Sequence, residues 1–160
     1  MAKGPSGSLP GDAGGGVDAP VAFAWAPNVG VGEGFTAQLY GGPSDASVDS
    51  LQPLYPTTTF RTDTPHGRFF VQPVVVTVPG QPPLSTASFI MRVFNGPDWE
   101  SSTIRGESHP TVAVLGGGEG FPRYLVNLQG FYVHVIPEPS VGMLVCFGAG
   151  LVFWLRRKRR

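Results

Sequence analysis

The chain has 160 residues, a formal net charge of zero, one cysteine, and 23 glycines with 17 prolines, so that a quarter of it is Gly or Pro. That length suits one domain and a short appendage, but the zero is misleading: the last five residues are all basic, and without them six basic residues face eleven acidic ones, a balance of −5. An acidic body excludes the basic footprint of a nucleic-acid binder, and a lone cysteine excludes a disulfide framework.

Residues 1 to 20 hold nine of the glycines and prolines, among them Gly14, Gly15 and Gly16, and almost nothing to bury. The expectation is a disordered N-terminal segment. Met1 to Gly7 supplies one Lys and no apolar core, so a Sec-type export signal is not found there. Export would then need a start upstream of residue 1 or another route, and the upstream start is the reading adopted.

From Val21 the texture changes to short apolar runs broken by turn residues. Phe35 to Tyr40 alternates, with Phe35, Ala37 and Leu39 on one side, and Gly41, Gly42 and Pro43 close it. Phe69 to Val78 is rich in β-branched residues, although Pro73 cannot donate to a ladder and marks an edge, bulge or break. Ala87 to Phe94 alternates again and stops at Asn95, Gly96 and Pro97. Thr111 to Leu115 runs into the glycines of 116 to 120; Tyr124 to Leu128 and Gly130 to Ile136 follow. No window before residue 137 shows helical periodicity. Six or more strands with turns between them predict an all-β fold, an antiparallel β-sandwich or jelly-roll-like domain over residues 21 to 136.

Residues 137 to 160 read differently. Pro137, Glu138, Pro139 and Ser140 lead into the uncharged run Val141 to Leu155, and the chain ends on Arg156, Arg157, Lys158, Arg159 and Arg160. Residues 140 to 155 as a helix would measure about 24 Å, at the short end of what spans a hydrocarbon core of about 30 Å. Snorkelling arginines lengthen it, and Trp154 suits the interface. The expectation is a single C-terminal transmembrane helix. Its basic end stays cytoplasmic as a membrane stop, and the body lies on the far side of the membrane. Cys146 sits in this run, where a small apolar filler is the plain reading and acylation the alternative.

These residues resemble the PEP-CTERM sorting signal: a Pro-Glu-Pro motif, one membrane helix and a short arginine-rich end, in that order over about 24 residues. The resemblance implies recognition by exosortase, an integral-membrane cysteine transpeptidase of Gram-negative bacteria that make exopolysaccharide. Pro137, Glu138 and Pro139 would be the processing motif. The alternative is an ordinary tail anchor, which would carry five positive charges across the membrane against the positive-inside bias. The body is similar to a globular domain of one group of PEP-CTERM proteins, in the stretches Val17 to Val21, Thr36 to Pro43, Thr59 to Thr62 and Phe121 to Phe131. That likeness implies a β-rich exported domain and no assigned chemistry.

Residue types capable of chemistry are scattered. Asp98 and Glu100 are two apart and would share a face on a strand; after Asn95-Gly96-Pro97 a solvated turn fits them better. Trp99 between them could stack on a sugar or simply pack in a loop. His66, His109 and His134 match no zinc spacing, and His134 reads as an outward strand position. Asp45, Asp49 and Asp63 could offer oxygens to calcium but lack EF-hand spacing. No G-x-S-x-G elbow exists. Gly116 to Gly120 follows a strand, but Pro122 removes the helix that a phosphate cradle needs.

The sequence thus predicts an exported surface or extracellular-matrix protein, sorted by exosortase and then released to the cell surface or matrix. It would be non-enzymatic, without cofactor or metal, and its domain would either bind exopolysaccharide or merely occupy space. The alternative is a small carbohydrate-active or other hydrolytic enzyme on the same tail.

Overall fold

The computed structural model describes residues 19–117, 123–125 and 127–137. They form nine strands: β1 (Val21–Phe23), β2 (Ala26–Gly30), β3 (Thr36–Pro43), β4 (Gln52–Pro53), β5 (Thr58–Thr59), β6 (Thr86–Phe94), β7 (Ile104–Glu107), β8 (Thr111–Val114) and β9 (Phe131–Val135). Two 3-10 turns, Val48–Ser50 and Gly67–Phe69, are the only helical pieces among the described residues. The protein is all-β there.

One path of pairing runs β2-β1-β9-β7-β6-β3-β4, with β5 beside β3 and β8 beside β6. Its backbone is the antiparallel pair β3–β6, eight residues in register from Thr36 opposite Phe94 to Pro43 opposite Ala87. Alternation along these two strands separates their faces. Ala37, Met91 and Val93 enter the main core, where they meet Val21, Phe131 and Val133 of β1 and β9 together with Phe35 and Phe60. The sheet must therefore fold back on itself, since β1 and β9 lie several strands away from β3 along the path. A second cluster gathers Leu54, Val78, Ala87 and Phe89. Ala22 turns to the other side of β1, onto Phe69 and Phe70.

Several expectations change in the folded chain. The sheet is not wholly antiparallel: β1 runs parallel to β9, with Val21, Ala22 and Phe23 opposite Phe131, Tyr132 and Val133. A parallel pair needs a long connection, and here that connection is the chain from residue 24 to residue 130. Ala19 and Pro20, placed above in the N-terminal segment, are buried. The run 69–78 is not a strand. Arg61 N donates to Phe70 O and Gln72 N to Thr59 O, and regular pairing stops where Pro73 has no N–H to give. Described residues between 124 and 128 also form no strand; Leu128 N donates to Leu125 O in a turn.

Gly106 lets β7 and β9 approach closely. A Cβ there would collide with the Tyr132 carbonyl and the Val133 backbone of β9, so only glycine lets β7 lie this close. Among the described residues no helix is long and apolar enough to cross a membrane; the helix expected over 140 to 155 lies outside them.

Candidate functional site

The outer face of β3 and β6 is the floor of an open groove of about 730 Å³. Thr36, Gln38 and Tyr40 come from β3 and Arg92 from β6. One wall is the segment around Tyr55, after β4; the other is the loop between β6 and β7 that carries Asp98, Trp99 and Glu100. The volume lies within the range of about 300–1,000 Å³ typical of small-molecule sites.

The β6–β7 loop is held from within. Ser102, itself buried, accepts a hydrogen bond from Gly96 N at 2.8 Å and donates to Asp98 O at 2.6 Å. A Cβ on Gly96 would stand 2.6 Å from Ser102 Oγ, which is why this turn takes glycine. Asn95 closes the base: its backbone N donates to Ile104 O, and its Oδ1 accepts from Ile104 N. Asp98 Oδ1 accepts from both the backbone N and the hydroxyl of Ser101, each at 2.8 Å. The backbone bond first, and then the hydroxyl bond, hold the Asp98 carboxyl below its usual range.

The loop's Trp99 stands edge-on to Phe94 at 6.4 Å between ring centres. Arg92 and Arg105 each bring a guanidinium carbon to 4.9 Å from the Trp99 ring centre, and Arg92 also lies 4.5 Å from that of Tyr40. Arg105 additionally donates to the carbonyls of Trp99 and Glu100 and pairs with the Glu100 carboxylate at 3.5 Å. Cross-strand register sets a row: Gln38 faces Arg92, and Arg92 faces Glu107. Arg92 Nε donates to Glu107 Oε2 at 3.1 Å.

Two groups on this floor have bonding capacity left. Gln38 is 7 % exposed, yet among the described residues its side-chain amide makes no hydrogen bond. Among the described residues no fully buried side-chain polar atom is left unpaired, so the Gln38 amide opens into the groove that Gln38 lines. The two Nη atoms of Arg92 likewise have no hydrogen-bond partner among the described residues, although the side chain is only 19 % exposed. Tyr55 is 69 % exposed and takes no part in the ring or cation contacts.

Of the residues singled out from sequence, Asp98, Trp99 and Glu100 meet at one wall, while Gln38, Tyr40, Tyr55 and Arg92 were missed. Alternation along β3 already put Thr36, Gln38 and Tyr40 opposite the core side, which was the available signal. His134 is exposed on β9, as its alternation predicted. Asp45, Asp49 and Asp63 belong to no cluster: among the described residues no three His, Cys, Asp or Glu side chains could hold a metal ion. Pro137 is exposed directly after the sheet, whose last backbone bond runs from Ile136 N to Thr103 O at 2.7 Å. Glu138, Pro139 and Arg156 to Arg160 lie outside the described residues. Comparison with protein-family models, with curated proteins and with solved structures finds no match to this chain.

Proposed function

We propose that the chain is an exported, non-enzymatic surface or matrix protein: a sandwich-like β domain followed by one C-terminal membrane helix and sorted by exosortase. The observation that carries this reading is the order of parts at the C-terminus, Pro137-Glu138-Pro139, an uncharged run to Leu155 and five terminal cations. The exposure of Pro137 where sheet pairing ends supports it. A processing enzyme needs extended, reachable backbone, and prolines on both sides of Glu138 discourage both strand and helix. On this reading the helix sets the distance from the motif to the cytoplasmic arginines, and it is discarded with them.

The enzymatic alternative draws no support from the Asp98 and Glu100 pair. Asp98 is held as the carboxylate, the wrong setting for a proton donor near neutral pH. Glu100 has a side chain 85 % exposed, beside Arg105.

Mass spectrometry of the mature C-terminus from an exosortase-positive host is the test. The expected product ends near Pro139 and no longer behaves as an integral membrane protein. Replacing Pro137, Glu138 and Pro139 with alanine should leave a membrane-retained form. Intact Arg160 in the mature protein overturns the reading.

A further inference from the structure

We propose that the groove over β3 and β6 is a binding site for an uncharged glycan, with the Gln38 amide and the Arg92 Nη groups reading hydroxyls and Tyr55 receiving a sugar face. The proposal extends the surface-protein reading to a particular site but stands on the groove alone. Tail processing and glycan capture can therefore fail separately.

Bonding capacity is the first argument. The Gln38 side chain is held in place by its burial, while its amide atoms reach the groove without a protein partner and so keep their full bonding capacity for a ligand. Its register neighbour Arg92 offers further N–H groups without a partner among the described residues. Arg92 is fixed in place by Glu107 behind it and by the rings of Tyr40 and Trp99 beside it. A ligand meeting it gains hydrogen bonds with little loss of side-chain freedom.

The type of group required follows from what stands side by side. The floor and wall mix donors (Arg92 Nη, Gln38 Nε2) with acceptors (Gln38 Oε1, the Glu100 carboxylate). A hydroxyl donates and accepts at the same atom, so a polyol satisfies such a mixture. A proline-rich peptide brings acceptors almost exclusively.

Charge excludes the anionic candidates. The groove and its ion pairs hold two guanidinium groups, Arg92 and Arg105, against three carboxylates, Asp98, Glu100 and Glu107. Arg92 is already paired, so a uronate or phosphate finds no surplus of positive charge.

The apolar side of the ligand is set by which ring is free. Tyr40 and Trp99 are covered by guanidinium groups. Tyr55 is free and exposed on the opposite wall, so a pyranose ring resting its C–H face on Tyr55 would direct its hydroxyls at Gln38 and Arg92.

The test uses the full-length chain, kept in a detergent without a sugar headgroup, on an array of neutral and acidic oligosaccharides, followed by calorimetry on the neutral ones. The expected result is binding to neutral glycans that changes little between low and high salt. Gln38→Leu and Tyr55→Ala should each weaken it roughly tenfold, the equivalent of about 1.4 kcal/mol. Trp25→Ala, an exposed aromatic elsewhere, should leave it unchanged. Tyr55 is exposed, so its variant keeps the fold, and an unaltered melting curve verifies this. Silence of every neutral glycan, or binding confined to acidic glycans or to a proline-rich peptide probe, overturns the proposal. So does full affinity in both groove variants.

Discussion

Arg92 and Glu107 face each other across β6 and β7, and the 3.1 Å bond between them holds the arginine where its guanidinium reaches both Tyr40 and Trp99. The ion pair is half in solvent and contributes about 0–1 kcal/mol. Each cation–π contact adds about 0.5–1 kcal/mol. Arg92→Ala should therefore destabilise the fold by about 1–3 kcal/mol, seen as a lower urea midpoint with an unchanged slope. Arg92→Lys keeps the charge but not the flat surface between two rings, and should recover only part of the loss. A double-mutant cycle with Tyr40→Ala that gave no coupling would refute the stacking account.

The β6–β7 loop should depend on one hydroxyl. Ser102→Ala leaves the part-buried Gly96 amide without its acceptor, and losing such a hydrogen bond costs about 0.5–1.5 kcal/mol. Faster hydrogen exchange at Gly96 and a shift in Trp99 fluorescence are the expected signs. Gly96→Ala should act in the same direction, because its Cβ would press on Ser102 Oγ.

Asp98 should titrate below an ordinary aspartate, because the Ser101 backbone N–H, and then its hydroxyl, favour the charged form. A carboxyl whose folded-state pKa is depressed adds stability above its unfolded-state pKa. That stability is lost as pH falls through the folded value. The loop should thus loosen on the acid side of the usual carboxylate range and be indifferent to pH near neutrality. Carbon-13 shifts of the Asp98 carboxyl against pH test this directly: a midpoint at or above that of an ordinary aspartate would contradict it.

Phe60 is a core residue supplied by a stretch with little regular structure. Its ring is 1 % exposed among Val93, Phe131 and Val133. Phe60→Ala should cost about 3–5 kcal/mol, enough to threaten folding at 37 °C. Val112, exposed on β8, should tolerate alanine within about 0.5 kcal/mol. Equal losses at the two sites would mean that the core is misassigned.

Much of the central sheet was legible because alternation is a one-strand property. Phe35, Ala37 and Leu39 could be placed on the core side from the order of residues alone, and so could Thr36, Gln38 and Tyr40 on the other. Meeting Arg92 was not legible: the register of β3 against β6 spans a long connection, and no periodicity encodes it. β7 was hidden because Arg105, Gly106 and Glu107 are held by neighbours rather than by a buried apolar face. The opposite error occurred at 124–128. Leu125 and Leu128 pack against separate clusters from a turn, since an apolar run signals burial and not pairing.

The parallel pairing of β1 with β9 also determines how the domain bears load. Phe131 N donates to Pro20 O and Ala24 N to Val133 O, so the strands are bonded along their whole overlap. A pull entering at Ala19 and leaving at Pro137 draws these strands along a common axis in opposite directions. Every bond between them is then strained together, in shear, instead of opening one after another from an end. A chain gripped at those two points resists until the whole overlap gives way at once, and its unfolding force is set by the length of that short seam.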